Sequence, residues 1–307
     1  MTGEGALIGV WRGDARVDAL DARDRGLAYG DGLFETLRAH AGTLPWWPRH
    51  RARLLAGAQR LGLPFPSDVL LDAALAEALA REPDGVVKLV LTRGSGARGY
   101  APTPGAPSTL VVSVAGQGKA RGADRSGSHR DEAANEAVNA VSTLRIDLLT
   151  TRLGVQPALA GMKHLNRLEQ VLGAREASAR GLDDGLMADA GGFVTCSTRA
   201  NVVARIDGRW ITPPVDRAGV AGIARGVLLE AWTPSNEVAT TSVAGGVEVA
   251  PLPLDALPRL QALFLCNAVR GILVVGQLGA RALDTRPPGL DAARAALAAS
   301  HPAFHEP

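Results

Sequence analysis

The spacing of apolar positions changes several times along the chain, and the changes divide it. Between about residues 48 and 61, Leu54, Ala58 and Leu61 share one helical face, while His50 and Arg53 share another. A second helix is predicted from about residue 68 to residue 81. Residues 86–92 and 109–114 are rich in β-branched side chains, which predicts strands. With short strands at the start, residues 1–117 read as one mixed unit. Residues 118–137 lose the pattern: they are polar, charged and rich in Gly and Ser, which predicts a linker or mobile loop between two units.

The second unit runs over residues 138–283. A strand is predicted at residues 138–143. Leu165, Leu168 and Leu172 then set a helical stripe that Gly181 ends. Residues 201–206 and 209–212 flank Asp207-Gly208, a strong two-residue hairpin signal. A helix is predicted from Gly222 to about Trp232, cut off by Pro234. Residues 263–267 and 272–275 predict buried strands. The tail, residues 284–307, has a Pro-Pro break followed by an Ala-rich helix. No internal repeat is present, and the mixture is α+β.

Composition narrows the function classes. A chain of 307 residues can bury a core in each of two domains. A net charge of +2 offers no strong electrostatic partner, and the Arg-rich stretches alternate with Asp, Glu and Ala. They read as solvated helix faces, so no nucleic acid is expected and a small molecule is the natural partner. The two cysteines, Cys196 and Cys266, make neither a disulfide framework nor a zinc site, and no metal is expected. The start lacks the basic and apolar regions of a signal peptide, and no apolar run approaches the ~20 residues that span a bilayer. A cytoplasmic protein without a membrane partner is the expectation.

The lysines point to chemistry. Of 33 lysines and arginines, only Lys88, Lys119 and Lys163 are lysines. A lysine amine can lose its proton and attack a carbonyl; a guanidinium cannot. Codon bias explains the arginines but does not choose which lysines remain. Lys119 sits in the polar stretch, and Lys88 lies in a strand-like run. Lys163 follows the apolar Ala158-Leu159-Ala160-Gly161-Met162. Gly219 to Arg225 opens a helix after a Pro-rich turn, so the amides of Gly222, Ile223 and Ala224 could face an anion. The Gly-rich run from Thr92 to Tyr100 is no phosphate-binding Walker loop, because no Gly-Lys-Ser/Thr ends it.

Gly161-Met162-Lys163-His164-Leu165-Asn166-Arg167-Leu168-Glu169-Gln170 closely resembles the cofactor-lysine motif of the class IV pyridoxal-phosphate enzymes. Its wording is that of the 4-amino-4-deoxychorismate lyases. Further matches follow in sequence order over residues 6–280: Gly30-Asp31-Gly32 to Thr36, the His-x-x-Arg-Leu pattern of His50 to Leu54, the loop Arg93 to Tyr100, Gly222-Ile223-Ala224, and Cys266-Asn267. The resemblance implies a two-domain class IV aminotransferase-like fold, with a smaller N-terminal α/β domain and a larger strand-rich C-terminal domain. It implies pyridoxal 5'-phosphate on Lys163, its phosphate held by Arg53, Asn267 and the amides at Gly222, Ile223 and Ala224. It implies a substrate carboxylate on Arg98, and Tyr29, Phe34 and Tyr100 as pocket residues. It also implies a homodimer with sites near the subunit interface, and conversion of 4-amino-4-deoxychorismate to 4-aminobenzoate and pyruvate.

One position departs. Aligned on Val194 and Asn201, the glutamate that pairs with the cofactor's ring nitrogen in the family is replaced by Cys196. A thiol, or the hydroxyl of Thr195 or Ser197, would pair with a neutral nitrogen and leave a weaker electron sink. That favours elimination, where aromatisation supplies driving force, over amino transfer. A D-amino-acid or branched-chain aminotransferase, and a non-catalytic binding protein, remain the alternatives.

Overall fold

Alternating burial in the N-terminal unit produces an antiparallel sheet. The computed structural model describes residues 5–116, 143–232 and 246–305. Its first sheet uses β1 (Ala6–Arg12), β2 (Ala15–Val17), β3 (Gly32–Arg38), β4 (Val86–Thr92) and β5 (Thr109–Ala115), in the order β2-β1-β5-β4-β3. A short helix, α1 (Arg25–Tyr29), precedes β3. The predicted helices form as α2 (Trp47–Leu61) and α3 (Asp68–Arg81). Ser67 caps α3 by accepting from the Leu70 amide, and Gly62, at φ 61°, ends α2. Leu71, Ala74 and Ala78 of α3 pack on Val87, Leu89 and Val112. Leu54 and Ala58 of α2 pack instead with Leu33, Leu91 and Met162, so the apolar stripe read from the sequence ties the first sheet to the lysine segment.

The second sheet has nine strands. It contains β6 (Leu144–Leu148), β7 (Asp184–Ala188), β8 (Val194–Ser197), β9 (Asn201–Ile206), β10 (Arg209–Thr212), β11 (Val247–Val249), β12 (Leu260–Asn267), β13 (Gly271–Leu278) and β14 (Arg281–Ala282). The order is β11-β10-β9-β12-β13-β6-β7-β8, with β14 on β13. β8 also pairs with β9 through Cys196 and Asn201, which curls the sheet back on itself. The Asp207-Gly208 hairpin forms as predicted, both residues at positive φ. Helix α4 (Leu168–Ala179) leads into β7, and α5 (Ile223–Ala231) packs beside the C-terminal α6 (Leu290–Ser300) through Leu228, Trp232, Leu290 and Leu297.

One expectation changes. Leu165 precedes α4, and Leu168 and Leu172 face outward, Leu168 at 76% exposure. The buried face is Gly173 and Ala177: a Cβ on Gly173 would lie 3.1 Å from the Met187 methyl carbon, so only small residues permit this approach. Residues 138–142 of the strand expected at 138–143 lie outside the described residues, as do the 118–137 segment and Pro234; Thr143 precedes β6, Leu144–Leu148. Among the described residues no helix is long and apolar enough to cross a membrane. The described residues form an α+β fold of two sheets flanked by helices.

Candidate active site

Lys163 is clamped by backbone on both sides. The Phe34 amide of β3 donates to the Lys163 carbonyl at 2.9 Å, and the Leu165 amide donates to the Gly32 carbonyl at 3.0 Å. On the other side, the Gly161 amide donates to Gly219 and the Ala221 amide donates to Gly161, each at 3.0 Å. Gly32 permits the first approach. A Cβ there would lie 2.9 Å from Leu165 Cδ1 and 2.4 Å from the Leu91 carbonyl. The half-buried Lys163 places its Nζ 4.1 Å from the centre of the Phe34 ring. Burial pulls its pKa down to about 8; the Arg53 charge adds to this and the Glu35 charge opposes it.

Arg53 is fixed by a buried carboxylate. Its Nε and Nη2 donate to Glu35 at 2.8 and 2.5 Å, and its Nη1 donates to the Ala221 carbonyl at 2.8 Å. The His50 Nδ1–H donates to the same carboxylate at 2.7 Å. Burial alone would raise the Glu35 carboxyl; the Arg53 charge and these hydrogen bonds outweigh it and bring it to about 2. The polar face of α2 read from the sequence is therefore a site face. α5 begins at Gly222, and the first amides of a helix have no intrahelical acceptor. A Cβ on Gly222 would lie 1.9 Å from Asn201 Oδ1, and Asn201 Nδ2 donates to the Val220 carbonyl at 2.9 Å. Ala224 is fully buried, so only its amide could serve. Asn267 Oδ1 accepts from the amides of Val269 and Arg270, so it shapes the cavity wall.

Cys196 faces the cavity from β8, with Arg167 and Gln170 of the lysine segment beside it. Burial pushes its thiol up to about 12; the Arg167 charge only partly offsets this. The thiol stays neutral. Ser197 Oγ donates to the buried Asp184 carboxylate at 2.9 Å, and Thr195 lines a separate, smaller cavity. Cys196 is thus the polar group left from that stretch. Arg167 donates to the carbonyls of His164 and Met162, and Gln170 Oε1 is buried without a partner. Both sit inside the motif that marks Lys163, which is the signal sequence reasoning passed over.

These groups surround one cavity of about 510 Å³. Arg53, Lys163, Arg167, Arg199 and Arg270 line it, and no Asp or Glu among the described residues does. A wall of cations beside helix amides suits a phosphate, and the orphaned Gln170 oxygen suits a polar occupant. Phe34, Lys163, Arg53, Cys196, Gly222, Ile223 and Asn267 are brought together here, and Ala224 is not among the lining residues. Tyr29, Arg98 and Tyr100 are not among the lining residues. Tyr29 and Tyr100 pack on one another with ring centres 5.5 Å apart, and Tyr100 is 86% exposed. Arg25 holds that loop by donating to the carbonyls of Gly99 and Tyr100, and Asp31 ties Arg25 to Arg93.

Comparison with known proteins agrees with this geometry. The class IV amino-transferase profile matches residues 32–278. An aminodeoxychorismate lyase of Vibrio harveyi is 31% identical over 258 residues, 84% of this chain and 86% of the relative. A putative branched-chain-amino-acid aminotransferase of Methanocaldococcus jannaschii is 28% identical over 89% of this chain and 88% of its own length. The crystal structure of 4-amino-4-deoxychorismate lyase from Pseudomonas aeruginosa superposes with a TM-score of 0.71 and 36% identity, over 90% of this chain and 94% of that one.

Proposed function

The chain belongs to the class IV aminotransferase family, and from that premise we propose that it is a pyridoxal-phosphate-dependent lyase converting 4-amino-4-deoxychorismate to 4-aminobenzoate and pyruvate. The observation that carries the reading is Lys163, its pKa lowered to about 8, in a cavity lined by five cations and no Asp or Glu among the described residues. Pyridoxal phosphate supplies a carbonyl for an amine and an electron sink. Arg53, Asn267 and the amides at Gly222, Ile223 and Ala224 hold its phosphate in this reading. Lys163 would hold the cofactor through its amine, and that amine would be free once substrate is bound. Its freed amine then takes the ring proton beside the substrate nitrogen and delivers it to the departing enolpyruvyl carbon. The ring C–O bond breaks, pyruvate leaves, and the ring becomes aromatic.

Cys196 supports elimination over amino transfer. Its thiol carries no charge, so it can accompany only a neutral ring nitrogen, and Arg167 beside it adds a positive charge rather than a negative one. The working form in this reading is a cytoplasmic homodimer in folate biosynthesis, as the family resemblance implies. Lys163→Ala is expected to lose the visible absorbance of the bound cofactor and all product. Incubation with 4-amino-4-deoxychorismate checks this by assay of 4-aminobenzoate and pyruvate in equal amounts. Cofactor-loaded wild-type protein that yields neither, but exchanges amino groups with a 2-oxo acid, would replace the lyase with an aminotransferase.

A further inference from the structure

The turn between β12 and β13 forms one wall of the cavity and is buttressed from three sides. Asn267 Oδ1 accepts from the Val269 and Arg270 amides at 3.0 and 2.9 Å. Arg38 Nη1 donates to the Val269 carbonyl at 3.0 Å. Gly271, at φ 64°, brings the turn against the C-terminal tail, where a Cβ would lie 2.8 Å from Phe304 Cδ1. The turn therefore offers its side chains from a fixed position.

Most cations of this cavity are committed. Arg53 is held by Glu35 and Ala221, and Arg167 by two carbonyls. Arg199 donates to the Asp183 carbonyl and pairs with Asp184. The Arg270 guanidinium has no hydrogen-bond or ion-pair partner among the described residues, and it is exposed at the cavity where Lys163 is half-buried.

Resting on the lyase reading for the substrate's identity, we propose that Arg270 holds the substrate's ring carboxylate and selects for it. The products define the anion. One carboxylate stays on 4-aminobenzoate, para to the amine, and the other leaves with pyruvate from the adjacent ring carbon. With the amine at the cofactor carbonyl, the ring carboxylate is the substrate group farthest from it, and Arg270 is the lining arginine without a partner among the described residues to meet it. A guanidinium there binds the carboxylate through two parallel N–H donors. Arg98, the residue singled out from sequence for a carboxylate, does not line this cavity.

The test compares wild type, Arg270→Gln and Arg270→Lys as holoenzymes, by calorimetric titration with 4-aminobenzoate and with aniline, which has the amine but no carboxylate. Arg270→Gln is expected to weaken 4-aminobenzoate by about ten- to hundredfold, as expected for a charge-assisted pair. Aniline binding and cofactor affinity stay unchanged, and Arg270→Lys recovers part of the loss. In turnover KM rises by a similar factor while kcat stays within about threefold, because the contact is equal in ground and transition states. Equal 4-aminobenzoate affinity in wild type and Arg270→Gln overturns the proposal, and so does an equal loss of aniline. A wild-type protein that binds 4-aminobenzoate through Arg270 yet releases no pyruvate sinks the lyase reading and leaves the carboxylate site standing.

Discussion

Burial, more than any single neighbour, makes Lys163 a nucleophile. Taking the ammonium out of water disfavours its charge, the Arg53 and Arg167 charges add to this, and Glu35 restrains it. The amine is mostly protonated below about 8 and mostly free above it. In the apo protein, covalent capture of pyridoxal phosphate should therefore accelerate with rising pH and level off above about 8. Stopped-flow absorbance across pH checks this; a midpoint near the ordinary lysine value of 10.5 would remove the argument. Cys196 is the complementary residue. Its thiol remains neutral, whereas a carboxylate at the same place would hold a proton on the ring nitrogen. Cys196→Glu is expected to speed amino transfer from an amino-acid donor by about tenfold, the worth of ~1.4 kcal/mol, and to alter the cofactor spectrum. An unchanged spectrum with an unchanged lyase rate would show that Cys196 does not face the ring nitrogen.

At the scale of elements, the start of α5 works because Gly222 has no side chain. A Cβ there meets Asn201 Oδ1 at 1.9 Å, and Asn201 must move, losing its bond to the Val220 carbonyl. Gly222→Ala is expected to weaken cofactor binding by about tenfold, the worth of one such hydrogen bond. The fold should tolerate it, since the contact is with the end of a side chain. Cofactor titration and a melting curve separate the two effects, and unchanged affinity would show that the α5 terminus does not hold the phosphate. Helix α4 teaches the opposite lesson. Its leucines have helical spacing, yet Gly173 and Ala177 make the packing face, because a close approach to Met187 and Leu149 selects small residues over large ones. Spacing identifies a helix; it does not say which face is buried.

Over the whole molecule, the lysine segment is a seam. Met162 packs with Leu33, Leu54, Ala58 and Leu91, and the flanking backbone pairs with β3 on one side and with residues 219–221 on the other. Glu35, next to the strand residue that binds the Lys163 carbonyl, also fixes Arg53. Lys163 and Arg53 are thus both positioned by one strand. This explains why motifs more than a hundred residues apart in the chain belong to one site.

Local and singular features are legible along the chain. Periodicity and turn chemistry named α2, α3, β4 and the Asp207-Gly208 hairpin, because these depend on neighbours within a few residues. Lys163 and Arg53 stood out because each lies in a short motif that resembles a known family's, and Cys196 because it departs from one. How distant groups meet is set by the folded packing. It joined Glu35 to His50 and Arg53, turned Tyr29 and Tyr100 toward one another instead of the cavity, and put Arg167, Gln170 and Arg270 on its walls. The reason is physical: burial, pairing and the direction of a side chain are set by what packs against it, and those neighbours come from elsewhere in the chain.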